Sequence, residues 1–244
     1  MKKIVKNKGI VINAMTYQET AAIATLITEN GKHTCLIKGA KKLNGSNKRL
    51  INIPVLIEYQ STVSDSLSVL TEGVVLDNFT NIKDDIIRYN YASIILEKLL
   101  YFSEQVTDFK TLFNFTLEIL KRLSDSNYLN SLVLIFEIKL LYLLGVAPSF
   151  NYCPICGKTN YVGSFDIKQG GYLCEECSKY NEVTLNKEDS KLFKEIYVTK
   201  TNQITDEFLI KFNNHQNINK AINYYYEWHL EFNSKAKKIV EKIG

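Results

Sequence analysis

Four cysteines in two Cys-x-x-Cys pairs have the spacing in this sequence best suited to chemistry. Cys153-Pro154-Ile155-Cys156 and Cys174-Glu175-Glu176-Cys177 are separated by the seventeen residues Gly157 to Leu173, which matches a four-thiolate zinc site. Zinc takes four ligands in a tetrahedron with metal–sulfur bonds of about 2.3 Å, and a two-residue gap lets one tight turn supply two of them. Gly157 can adopt the positive φ such a turn often needs. With Cys153, Cys156, Cys174 and Cys177 closing the coordination sphere, no position remains for water, so one Zn2+ is expected in a structural role. The segment between the pairs is polar and punctuated by Gly163, Gly170 and Gly171. It looks too short for a core of its own, and a metal is expected to replace that core.

Three other cysteine chemistries fit less well. A redox dithiol needs only one pair. A disulfide framework needs an oxidising compartment, and no secretory segment is evident, so a cytoplasmic location is expected. A zinc deaminase needs His-x-Glu ahead of Pro-Cys-x-x-Cys. Here His229-Leu230-Glu231 follows the cysteines and Tyr152 precedes Cys153. The fifth cysteine, Cys35, lies in an alternating run and reads as a buried core thiol.

The second group of interest is cationic. Lys38, Lys41, Lys42, Lys48 and Arg49 fall within twelve residues that contain no acid, interleaved with Gly39, Gly45 and Ser46. A mobile basic loop of this kind is a phosphate-contacting element, or a surface made basic for solubility; both readings stand. A smaller C-terminal cluster comprises Lys235, Lys237, Lys238 and Lys242. The histidines have no spacing that suggests catalysis. No nucleophile–base pair or Gly-Lys-Ser/Thr loop is visible, so the chain is not expected to be an enzyme.

Composition sets the frame for these groups. The 244 residues are 45% hydrophobic and 11% aromatic, enough for one large or two modest domains with real cores. The net charge of +4 is small, so any nucleic-acid affinity must come from local clustering. No apolar run approaches the ~20 residues of a membrane span.

From Val5 to about Asp77 the sequence has the two-residue period of strands. The runs are Gly9 to Ile12, Ala22 to Ile27, His33 to Lys38, Val55 to Tyr59 and Leu67 to Thr71, with an Asn30-Gly31 turn between the second and third. Five short strands suit a small closed barrel such as the OB-fold, though an SH3-like barrel has the same periodicity. From about Lys83 the period becomes helical. Ile87, Tyr91, Ile94, Ile95 and Leu99 mark one face, with Asp84 and Asp85 at the positive end of the dipole. Further helices are expected at 109–123, with Leu112, Phe113, Leu117 and Leu120 inward, and at 129–144, closed by Gly145 and Pro148. Others follow at 187–198, 205–212 and 218–243. The last carries Tyr224, Tyr225, Tyr226, Trp228 and Phe232, more rings than one buried face can hold. The expected fold is thus α+β, with the barrel at 1–79 and a helical domain at 80–244 carrying the zinc insertion at about 150–182.

Three stretches together resemble the bacterial recombination mediator family RecO. They are Gly9-Ile10-Val11-Ile12 through Tyr17-Gln18-Glu19 and Leu26 to Gly31, on to Ile37-Lys38-Gly39-Ala40-Lys41-Lys42; Tyr91-Ala92-Ser93 with its helix; and Phe136 to Leu141 through Leu144-Gly145-Val146-Ala147-Pro148 into the cysteines. The resemblance covers most of residues 9–178 and is thin beyond Glu182. It implies an N-terminal OB-fold and a helical domain with an inserted zinc element. It also implies binding of single- and double-stranded DNA, annealing of complementary strands and assistance to RecA loading in DNA repair. The implied partners are RecR and the acidic C-terminal tail of single-strand-binding protein. Lys38, Lys41 and Lys42 match the family's basic segment, whereas Lys48 and Arg49 follow a more neutral tip, Leu43 to Asn47, and carry over less directly. The alternative from another class is a zinc-stabilised, protein-binding adaptor without DNA contact. The tail's site should pair a hydrophobic groove with cations, and the last helix with Lys235, Lys237 and Lys238 is one candidate wall.

Overall fold

The computed structural model describes residues 4–42, 44–62, 67–159, 163–182 and 184–243. The chain packs as two compact units, residues 1–126 with 243–244, and residues 127–242. The expected division at 79/80 separates strands from helices. By packing, the first three helices go with the barrel, because their apolar faces are buried within the first unit.

In the first unit, β1 (Ile4–Tyr17), β2 (Ala21–Thr28), β3 (Gly31–Ile37), β4 (Val55–Thr62) and β5 (Ser68–Asp77) form a closed barrel of order β1-β2-β3-β5-β4. The long β1 pairs antiparallel with both β2 and β4, and β3 meets β5 in parallel, with Cys35 opposite Ser68. This is the OB-fold arrangement, and the periodicity that an SH3-like barrel shares is resolved by that parallel pairing. Alternate residues point inward: Ala22, Ala24 and Leu26 from β2, Cys35 and Ile37 from β3, Val55, Ile57 and Tyr59 from β4. Burial drives the Cys35 thiol up to about 12, as expected of an inert core thiol.

Helix α1 (Thr80–Lys83) is a single turn and α2 spans Ile86–Phe102. Asp85 caps α2 by accepting from the backbone N–H groups of Ile87 and Arg88 at 2.8 and 3.2 Å. Asp84 instead closes α1. Ile94, Ile95 and Leu99 are buried as expected and Ala92 and Phe102 extend that face, whereas Ile87, at the helix start, is 52% exposed. In α3 (Phe109–Asp125), Leu112, Phe113 and Leu120 are buried as expected.

The second unit is built around α4 (Leu129–Leu143), whose residues from Ser131 to Ile138 are all buried. Gly145, at φ +73°, ends it, and the N–H groups of Gly145 and Val146 satisfy the carbonyls of Tyr142 and Leu141 at 3.0 Å each. The cysteine lobe follows with β6 (Ser164–Asp166), β7 (Gly171–Leu173) and α5 (Glu175–Ser178), and then α6 (Lys187–Val198) and α7 (Asp206–Phe212). The expected helix over 218–243 is two helices, α8 (Gln216–Leu230) and α9 (Lys235–Ile243). Glu231 takes left-handed backbone at φ +51°, the N–H of Phe232 folds back to the Tyr226 carbonyl, and the Ser234 hydroxyl restarts the chain by accepting from the Lys237 N–H.

Candidate metal centre and nucleic-acid interface

The four cysteine sulfurs of the two pairs all lie within 4.8 Å of one another, and those of Cys156 and Cys174 are 3.6 Å apart. Tetrahedral thiolates on a zinc at ~2.3 Å would stand about 3.8 Å apart, so the donor set has the chemistry and the spacing of a single metal site. Each pair is shaped by local backbone. At the first, Gly157 at φ +73° lets its N–H reach the Cys153 carbonyl at 2.8 Å, and the Cys153 N–H reaches the Lys158 carbonyl at 2.9 Å. At the second, the turn of α5 brings the Ser178 N–H to the Cys174 carbonyl at 2.9 Å. Burial works against ionisation of Cys153, yet backbone N–H groups of Cys174, Cys156 and Ile155 directed at its sulfur bring it down to about 6. Cys177 is pushed up to about 12, chiefly by its hydrogen bond with Cys174. Four sulfurs this close favour loss of protons only where a cation balances them, and a divalent cation would displace those protons and bind the sulfurs.

The expectation that metal alone replaces a core for this lobe needs correction. Cys153, Leu173 and Cys174 form a small buried cluster at the metal end. At the other end, Phe165 and Tyr172 pack against Phe150 and Phe193 with ring centroids 5.0 to 5.8 Å apart. The Tyr172 hydroxyl donates to the Ser190 carbonyl at 2.5 Å. The sequence signal was available in the rings Phe165 and Tyr172, each at the middle of a short strand of the β6–β7 hairpin, but it was masked by the glycines around them.

The five cations of the basic loop are all exposed, and no carboxylate pairs with any of them among the described residues. The loop is wound rather than loose. Ala40 and Leu50 are fully buried anchors at its two ends. The Lys41 N–H donates to the Thr20 carbonyl at 3.0 Å, which ties the loop to the β1–β2 turn, and the Asn47 amide donates to the Lys38 carbonyl at 2.9 Å. A Cβ on Gly45 would lie 2.3 Å from the Gly39 carbonyl oxygen. Only glycine fits there, a requirement that spacing did not reveal. Leu43 lies outside the described residues. Lys41, Lys48 and Arg49 line one open cleft of about 730 Å3 together with Ser46, Ile51 and Asn52. Lys38 and Lys42 are on the same loop but do not line that cleft.

The C-terminal lysines divide differently. Lys237 is buried and bound to the buried Glu137 at 2.7 Å, so it is no counter-charge for an acidic partner. Lys235, Lys238 and Lys242 are exposed. Of the aromatic run, Tyr225, Tyr226 and Phe232 are buried, whereas Trp228 is 52% exposed.

Family models match along nearly the whole chain: the N-terminal domain of recombination protein O over residues 1–79 and its C-terminal domain over residues 83–238. The DNA repair protein RecO of Syntrophomonas wolfei is 30% identical over 75% of this chain and 74% of its own length. Those of Bacillus pumilus and Bacillus subtilis are 26% and 25% identical, each over 98% of this chain and 94% and 95% of their own. No helix among the described residues is long and apolar enough to cross a membrane.

Proposed function

The chain belongs to the recombination protein O family of DNA repair proteins, and from that membership we propose that it is a recombination mediator without catalytic chemistry. In this reading it binds single- and double-stranded DNA, anneals complementary strands and, with RecR, assists RecA loading on strands coated by single-strand-binding protein, whose acidic tail it also binds. The observation that carries the reading is the row of five exposed, acid-free cations wound onto an OB-fold loop. Annealing needs no bond-making residue. It needs a surface that holds phosphate backbones close while base pairing supplies the free energy, and unpaired lysines do that. Lys38, Lys41, Lys42, Lys48 and Arg49 are the proposed phosphate contacts. The metal is proposed to be one structural Zn2+ held by Cys153, Cys156, Cys174 and Cys177, since an all-thiolate tetrahedral donor set suits zinc; it would stabilise the lobe.

A salt titration of single-strand binding tests the DNA assignment. Five phosphate contacts at ~0.7 each contribute about 3.5 to the slope of log affinity against log salt. A slope near zero, or no strand binding at low salt, leaves a protein-binding adaptor instead.

A further inference from the structure

At the end of the barrel away from the basic loop lies a second, smaller cleft of about 260 Å3, walled by inward-facing polar residues of β1, β3 and β4. We infer that this cleft receives one unpaired nucleobase of a bound strand, an inference that rests on the DNA-binding reading above. The first ground is an unpartnered group. The Ser61 hydroxyl is buried, lines the cleft and has no hydrogen-bond partner among the described residues. A buried hydroxyl without a partner is costly, so a ligand or an ordered water must supply one.

The second ground is charge. Desolvation holds His33 below its ordinary pKa and therefore neutral. Burial raises the Tyr59 phenol far above the physiological range, with Cys35 adding to the effect and a hydrogen bond from Asn7 opposing it. Among the described residues that line the cleft the charged one is Lys32, and it is paired with Glu104 at 2.8 Å. Such a cleft has no attraction for phosphate and suits a neutral, planar ligand with both donors and acceptors. Its polar wall offers both kinds: the Asn7 amide, the Ser61 hydroxyl, and the His33 imidazole, whose Nδ1 is 2.6 Å from the Tyr59 hydroxyl with the rings stacked at 16°.

The third ground is size and position. At ~30 Å3 per water the cleft has room for eight or nine waters, ample for a single planar base. The start of β3 lines it, and from His33 to the first cation of the loop, Lys38, is five residues, about 17 Å at strand spacing. That distance lies within the ~4–16 nucleotides an OB-fold engages.

The test compares natural single strands with the same strands made abasic, on the full chain. Parent protein should bind the natural strand more tightly. Ser61→Val, which fills the space, should lower that affinity about tenfold, the lower range for one base contact. It should leave abasic-strand affinity and the salt slope unchanged. Ser61→Ala, which removes a hydroxyl without a partner and so threatens folding less, should act in the same direction. His33 ring NMR signals should shift with natural strands. Equal losses on both strand types, no loss on either, or His33 shifts with free nucleosides but not with strands would overturn the inference, leaving an ordered water as the partner of Ser61. A strand affinity without salt dependence would count against the basic loop and not against this cleft.

Discussion

The basic loop after β3 and the cysteine lobe after α4 are both turn-rich segments punctuated by glycine, yet they are held by different forces. The loop is clamped from within: Ala40 and Leu50 enter the barrel core, and the side chain of Leu50 fills the space beside Gly73, where a Cβ would approach to 2.8 Å. All of its charges are left outside. The lobe is held from its two ends, by sulfur at one and by the Phe150, Phe165, Tyr172 and Phe193 cluster at the other. Its surface carries ion pairs, Lys168 to Glu182 and, across to α6, Glu175 to Lys187. A segment whose order comes from apolar anchors can present unpaired charge. A segment ordered by metal and rings has stability that depends on its ligands, and its charge is neutralised locally. On the proposed function, affinity belongs to the loop and integrity to the lobe.

Substitutions should separate the two. The largest loss of stability is expected at the metal end. Cys153→Ser removes a buried ligand, so metal content should fall well below one per chain and the lobe should lose protection from hydrogen exchange, as should the parent after chelation. The aromatic end should keep part of the lobe's structure, so circular dichroism should change less than exchange does. Full metal occupancy in that variant would show that the four sulfurs do not act as one site. Next comes the buried pair beneath α8. Lys237→Met removes the cation bound to the buried Glu137 and should cost about 3–5 kcal/mol in denaturant unfolding, with strand affinity unchanged. A loss under 1 kcal/mol would mean that Glu137 is protonated or solvated in the variant.

Much of this division was legible in the sequence where a physical requirement has a fixed spacing. Two Cys-x-x-Cys pairs admit few arrangements, and the five strands follow from their two-residue period and the Asn30-Gly31 turn. What was not legible depends on partners far away in sequence. Lys237 looks like any surface lysine until α9 packs it against Glu137, one hundred residues earlier. Ile87 fits the helical stripe of α2, but Asp85 sets the helix start and turns that position to solvent. The break at Glu231 carries neither glycine nor proline, so the 218–243 run read as one helix.

A smaller effect on stability is expected at Gly45. Gly45→Ala places a methyl against the Gly39 carbonyl oxygen, and relieving that overlap should cost about 1–3 kcal/mol. Because the shift displaces the turn that carries Lys41 and Lys48, strand affinity should fall as well. A variant as stable as the parent with unchanged affinity would mean that the loop can rewind without moving its cations.

The smallest effect on stability, and the largest on binding, is expected from the loop charges themselves. Replacing Lys38, Lys41 and Lys42 with alanine removes exposed side chains that pair with no carboxylate among the described residues, so unfolding free energy should stay within about 0.5 kcal/mol of the parent. The salt slope for single-strand binding should nevertheless fall by roughly two, at ~0.7 per lost contact. Affinity should drop alike for all sequences, because phosphate contacts carry no base information. The competing set is the exposed C-terminal cluster Lys235, Lys238 and Lys242. Lys237 is left out because it is buried against Glu137, so its removal would destabilise the unit rather than discharge its surface. Alanine at those three should leave the slope near the parent value if the loop dominates. If instead the C-terminal variant loses the slope while the folded loop variant keeps it, the assignment reverses: the barrel's loop is a solvated surface, and strand binding belongs to the second unit.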